Sequence, residues 1–247
     1  MNAHTLSASG VHLALLCSAP FRADAAVTRD KPGPAAERGR RVHAAIERYL
    51  LDGTYTVNEV HPDDDAYFSS WLGWWDAWPA SRQTWRPEIP YLLNAELGTS
   101  RELGPLPGPR EYGAVGASEI PMTLDAVAVA GGLVLVVDWK TGALIHDHGA
   151  QLRTNALAAA LAHGATEARA LAVYLSPDGA FEGERIVMDA FALDDHAAAL
   201  RDLMRRLPTA DAVAGEHCTR EWCRLRNVCR TRRALLKEQR ETERGKP

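Results

Sequence analysis

The chain has 247 residues, 46% of them apolar and 24% charged, and a formal net charge of −4. That length supports one substantial core, or one domain with a small appendage. The balance is that of an ordinary globular protein and excludes a polycation, a disordered chain or a membrane-spanning helix of ~20 apolar residues.

In chain order, "TLSASGVHLALLC" reads as a helix with Ser7 or Ser9 as N-cap. The overlapping "GVHLALLCSAP" looks like a signal-peptide core but is too short, and no Lys or Arg precedes it. The chain is therefore read as intracellular and cytoplasmic, where its four cysteines would not form disulfides. A Pro/Gly-containing loop, "RDKPGPAAERG", leads into a helix over "ERGRRVHAAIERYLLDG". Val42, Ile46, Tyr49 and Leu50 share one face of that helix, His43 lies beside them and Gly53 ends it. A third helix covers 63–78, with Trp71, Trp74, Trp75 and Trp78 as a core stripe.

"EIPYLLN" is strand-like between prolines, and the Gly- and Pro-rich segment 98–113 reads as a loop. "EIPMTLDAVAVA", Gly131-Gly132 and "LVLVVDWKTG" form a hairpin with a two-residue turn. Its second strand is apolar on both faces up to Asp138, so it belongs at the centre of a covered sheet. A helix over "HDHGAQLRTNALAAALAHG", strands over "ARALAVYLS" and "FEGERIVMDAF", and a helix over "DDHAAALRDLMRRL" follow. Strand, helix, strand from 133 to 175 fits a crossover onto a parallel neighbour, which sets the fold class as α/β. The tail from Arg220 to Arg240 is strongly basic, and its last dozen residues read as frayed.

The tight turn fixes a register. Cross-strand partners have residue numbers summing to 263, which sets Asp125 opposite Asp138, about 5 Å apart. Two such carboxylates repel, and one would take up a proton unless a cation bridges them. Mg²⁺ or Mn²⁺ suits these hard oxygen donors. Lys140, two residues past Asp138 and on the same face, could orient a water or neutralise charge on a phosphate. By itself the Asp138–Lys140 pair reads far more readily as a buried ion pair, and it is the opposed Asp125 and the hairpin that favour a site. Acid, acid and lysine together point to phosphodiester cleavage. Glu119, six residues before Asp125, could approach the metal, but a solvated or ion-paired role at the strand end is favoured, and Glu88 reads similarly on weaker grounds.

These residues resemble a known family. "TLDAVAV…LVLVVDWKTG" is similar to the core of the PD-(D/E)-x-K nucleases, in their RecB-like branch. "GRRVHAAIERYL" resembles that branch's G-x-x-x-H helix, and "QLRTNALA" its Q-x-x-x-Y helix, with Asn155 replacing the tyrosine. The resemblance implies a restriction-endonuclease-like mixed β-sheet core flanked by helices, with an N-terminal helical segment and a C-terminal Cys-rich tail. It implies a metal-dependent DNA nuclease, an exonuclease on single strands or DNA ends in repair, recombination or phage biology. Asp125, Asp138, Lys140 and Gln151 would be catalytic. His43, Asp125, Asp138 and the Trp139 carbonyl would bind Mg²⁺ or Mn²⁺. Iron–sulfur members of the branch, such as AddB-type subunits and CRISPR-associated exonucleases, carry one cysteine before the core and three after it. Cys17, Cys218, Cys223 and Cys229 match that order and imply a [4Fe–4S] cluster, although C-x4-C-x5-C replaces the usual C-x2-C-x5-C. A Zn²⁺ site at the four cysteines is the alternative.

Arg220, Arg224 and Arg226 would contact the DNA backbone. A helicase or recombination protein is a possible partner, and no membrane is implied. The domain reading is one nuclease domain over 1–240, with a helical insert at about 54–84, a Cys-rich tail at 215–232 and a frayed end at 241–247. Two other functions remain open: a non-catalytic DNA-end-binding or structural subunit of a recombination or defence complex, and a zinc-stabilised protein of unrelated activity.

Overall fold

The protein is described from a computed structural model covering residues 6–22, 33–53, 61–108, 111–142, 147–219, 223, 225 and 227–244. Among these residues six α-helices and six strands follow in the order α1 (Val11–Leu16), α2 (Pro34–Asp52), α3 (Asp65–Ala77), β1 (Arg86–Asn94), β2 (Thr99–Glu102), β3 (Glu119–Ala130), β4 (Leu133–Lys140), α4 (Gly149–His163), β5 (Glu167–Ser176), β6 (Gly179–Met188), α5 (Ala190–Arg206) and α6 (Arg230–Arg244). The strands form one mixed sheet in the order β2-β1-β3-β4-β5-β6. Only β4 and β5 run parallel, joined through α4, and every other neighbouring pair is antiparallel. This is the α/β architecture expected: a mixed sheet flanked by helices, with helices also at both ends of the chain.

The β3–β4 hairpin has the expected turn. Gly131 and Gly132 have φ of 57° and 83°, the pair of positive values that a two-residue hairpin turn requires. The ladder runs from Ala130↔Leu133 to Ala126↔Val137, so the register is the predicted one. It brings Asp125 and Asp138 to the first step beyond the last paired residues.

Each face of the sheet has its own core. On one side Val134 and Val136 of β4 pack with Leu152, Leu157 and the alanines of α4, with α1 and α5 behind. The helix α4 is buried from Thr154 to Ala160, and its run of alanines admits close neighbours on all sides. On the other side Val137 and Trp139 pack with Val42 and Ile46 of α2 and with Phe68, Trp71 and Trp75 of α3. Trp139 meets Trp71, Trp74 and Trp75 edge-on, at centroid distances of 5.9, 5.8 and 6.0 Å. The tryptophan stripe is thus core, with Trp74 and Trp78 half-exposed at its rim.

Several boundaries differ from expectation. Ser7 and Ser9 make no capping bond. A 3₁₀ turn over Ala8–Gly10 comes first, and α1 begins after Gly10. The helix α2 starts at Pro34, inside the expected loop, because proline at its first position gives up no needed donor. Gly53 ends it in the left-handed conformation, as expected. Thr99–Glu102, expected as loop, is an edge strand pairing with Tyr91–Asn94 of β1. Asp189 ends no strand but caps α5, its carboxylate accepting the Ala192 N–H at 2.9 Å. The charged tail is helical to Arg244. No helix among the described residues is long and apolar enough to cross a membrane.

Candidate metal and catalytic site

The end of β4 carries Asp138 and Lys140 toward the first turns of α4. Asp138 is 4% exposed. Its Oδ2 lies 2.5 Å from Lys140 Nζ, an ion pair without hydrogen-bond alignment. Gln151 of α4 clamps both partners. Its Nε2 donates to Asp138 Oδ1 at 2.9 Å, and its Oε1 accepts from Lys140 Nζ at 3.3 Å. One turn further on, Asn155 is buried and its Oδ1 lacks a partner.

Asp125 stands next to this pair. Its Oδ2 accepts the backbone N–H of Trp139 at 2.7 Å, and its Oδ1 lies 3.4 Å from His43 Nδ1. The opposite ring nitrogen, Nε2, donates to the Trp139 carbonyl at 3.1 Å. His43 reaches this position because Val42 and Ile46 anchor α2 on the sheet. Glu88 also approaches the ring, its Oε1 3.8 Å from Nδ1. Among the described residues, the set of three or more metal-binding side chains whose donor atoms lie within 4.8 Å of one another is His43, Glu88 and Asp125.

Glu88 is the residue that sequence reasoning undervalued. Leu124 and Val127 face the same core, so the alternation of β3 breaks between them. On β1 the matching break falls at Glu88, whose φ is 49°. The ladder keeps its register from Pro87↔Ala126 to Ile89↔Leu124 but skips Glu88 and Asp125. Prolines at 87 and 90 around one acid were the available signal. Glu119 instead takes a strand-end role, accepting from the Gly116 N–H at 2.7 Å and facing Arg101 at 3.7 Å.

Burial opposes an imidazolium at His43, but the carboxylates of Asp125 and Glu88 overcome it and hold the pKa up at about 10. Burial would also raise Asp125, yet His43, Lys140 and the Trp139 N–H bring it below the usual carboxylate range. Asp138 is pushed up by burial and by Asp125, against the pull of Lys140. Burial opposes charge on Lys140, and the two aspartates nevertheless raise its pKa. Of the two facing acids, Asp138 is the one disposed to take a proton.

The four cysteines converge at the other end of α1. Cys17, Cys218 and Cys223 are buried and Cys229 is half-buried, all as free thiols. Burial raises the Cys223 thiol, and Cys17, Cys218 and Cys229 add to the rise. The Arg232 N–H points at Cys229 Sγ at 3.4 Å, and His217 Nε2 is 3.5 Å from Cys218 Sγ. Arg220, Arg224 and Arg226 lie outside the described residues.

No curated protein matches the chain significantly. Six solved chains do match. One, described as "Crystal structure of SSO0001", is 15% identical, covers 79% of this chain and 81% of its own, and superposes with a TM-score of 0.36. The sequence profile of the PD-(D/E)XK nuclease superfamily matches residues 5–230, a span that contains the hairpin, His43, Gln151 and all four cysteines. A match over nearly the whole chain makes this protein a member of the PD-(D/E)XK nuclease superfamily.

Proposed function

We propose that the protein is a divalent-cation-dependent deoxyribonuclease of the RecB-like branch, acting as an exonuclease on single strands or DNA ends in repair, recombination or phage biology. The observation that carries this reading is the Asp138–Lys140–Gln151 clamp at the end of β4, beside Asp125 and His43. The donors fit a hard cation. Carboxylates outnumber nearby bases, and the buried Asp138 Oδ2 has no hydrogen bond. The acids that keep His43 charged are the same ones that would hold a metal ion.

His43, Asp125, Asp138 and the Trp139 carbonyl would bind Mg²⁺ or Mn²⁺, which when bound polarises the scissile phosphate and eases deprotonation of the attacking water. Lys140 orients that water or stabilises charge growing on the phosphate. Gln151 keeps the lysine beside Asp138 rather than free in solvent. Arg220, Arg224 and Arg226 track the DNA backbone. A helicase or recombination partner would supply the substrate end.

The four cysteines are read as holding a [4Fe–4S] cluster that ties α1 to the tail at 215–232 within one nuclease domain over 1–240. The order of one cysteine before the core and three after it supports the cluster over a single zinc ion.

The test is cleavage of end-labelled single- and double-stranded DNA with Mg²⁺, Mn²⁺ or chelator. Products trimmed from the ends, abolished by chelator and by Asp138→Ala, are expected. Binding of DNA ends with no metal-dependent cleavage would instead favour a non-catalytic subunit, against which the intact Asp125, Asp138 and Lys140 argue.

A further inference from the structure

The two acids nearest His43 are short of positive partners. Among the described residues, His43 is the one base within ion-pair distance of either Glu88 or Asp125. One imidazole is thus shared between two carboxylates that its 3.4 and 3.8 Å contacts draw together. Lys140, the other cation of the site, is paired with Asp138 instead. Elsewhere in the site each acid has a dedicated donor, but Glu88 has only its share of this ring.

The backbone at Glu88 is unusual for what it carries. Glu88 is the non-glycine residue with positive φ among the described residues. Strand pairing does not demand it, since the β1–β3 register is the same on both sides of the break. A bend needed for shape alone would favour glycine, which enters this region without steric cost. A carboxylate sits there instead, and the bend turns it toward His43 and Asp125. Strain of this kind persists where surrounding structure holds it for a task.

We propose that Glu88 is a ligand of the divalent cation, a carboxylate from β1 that joins His43 and Asp125 in holding it. The inference rests on reading this cluster as the cation site of a nuclease. It extends the donor set to a third strand, so that β1, β3 and β4 with α2 all meet at one ion. Asp125, between Glu88 and Asp138 in the sheet, is then the shared member of the set.

The rival role is purely structural: Glu88 orients His43 and nothing more. Mn²⁺ titration followed by electron paramagnetic resonance separates the two, using wild-type protein, Glu88→Gly, Glu88→Gln and Glu88→Asp. Glycine relieves the backbone, so Glu88→Gly should melt at or above the wild-type temperature without metal while binding Mn²⁺ about 100-fold more weakly. Glu88→Gln, which can still hydrogen-bond the ring, should lose affinity similarly, and Glu88→Asp should recover part of it. Affinities for Glu88→Gly and Glu88→Gln within about threefold of wild type would overturn the proposal. Wild-type protein that takes up no Mn²⁺ would sink the cation site itself, a result distinct from a site that binds regardless of Glu88.

Discussion

Asp125 Oδ2 accepts the backbone N–H of Trp139 at 2.7 Å, so a side chain of β3 takes the place of its main chain where the ladder with β4 stops. His43 meets the same residue from the other side, through the Trp139 carbonyl at 3.1 Å. A single peptide thus anchors both groups, while the Trp139 ring is held in the tryptophan core. The site is thus tied to the interior through the side chain of this one residue.

That bond separates two variants of Asp125. Asp125→Ala leaves a buried N–H without an acceptor, at a cost of about 1–3 kcal/mol. Asp125→Asn keeps a carbonyl oxygen for Trp139 and should unfold close to wild type. Neither should cleave DNA. Urea unfolding beside a cleavage assay checks both. An asparagine variant that cuts like the parent would remove Asp125 from the site.

Lys140→Met tests the ion pair through pH. Burial and Asp125 raise the Asp138 pKa even with Lys140 present. An acid whose folded pKa is raised gives stability that is present below its unfolded value and lost as pH rises through the folded one. Without the lysine that loss deepens. The stability gap between wild type and Lys140→Met should therefore be small at about pH 5 and grow toward about 3 kcal/mol at about pH 8. Cleavage should vanish at both. Urea unfolding at the two pH values measures the gap, and a gap that ignores pH would mean Asp138 is not the group left exposed to its neighbours.

Much of this site was legible because one turn carries so much information. Two glycines in a row accept two positive φ values, which fixes the register and brings Asp125 level with Asp138. The face-switch at Glu88 was harder to read, since the prolines at 87 and 90 mark an interrupted strand without showing which residue turns. The strand β2 was hidden for a related reason. Thr99–Glu102 is short and exposed, without the alternation of a half-buried strand, and owes its form to pairing with β1. Asp189 read as the end of a strand because its capping bond depends on where the next helix starts.

His196 predicts an acid-sensitive core contact between α4 and α5. Thr154 donates its hydroxyl to the Ala150 carbonyl at 2.7 Å, so the 3.1 Å contact with His196 requires the ring Nε2–H to donate to Thr154. Burial and the nearby Arg153 lower the His196 pKa to about 4. A depressed folded pKa gives stability that is full above the unfolded value near 6.5 and lost as pH falls toward 4. The loss should approach about 3 kcal/mol. His196→Gln should flatten that part of the stability profile in urea titrations across this window. A wild-type profile parallel to the variant's would show that the ring is not held neutral.

The thiols give the last prediction. Cys17 ends α1, and its three counterparts lie beyond α5, so any group bridging them closes a loop of nearly the whole chain. Closing a loop of that length restricts the unfolded chain by about 5 kcal/mol in the chain-entropy treatment used for disulfides. A cluster here should therefore act on stability even though the proposed cleavage site lies elsewhere. Wild-type protein purified without oxygen should be brown and contain iron and sulfide. Cys223→Ser, which removes a buried thiol of the set, should lose the colour and melt at a lower temperature. Cys229, whose Sγ meets the Arg232 N–H at 3.4 Å, belongs to the same set, so Cys229→Ser should weaken the cluster as well. Colourless protein with one zinc per chain, and a Cys223→Ser variant that releases it, would replace iron with zinc while leaving the staple argument intact.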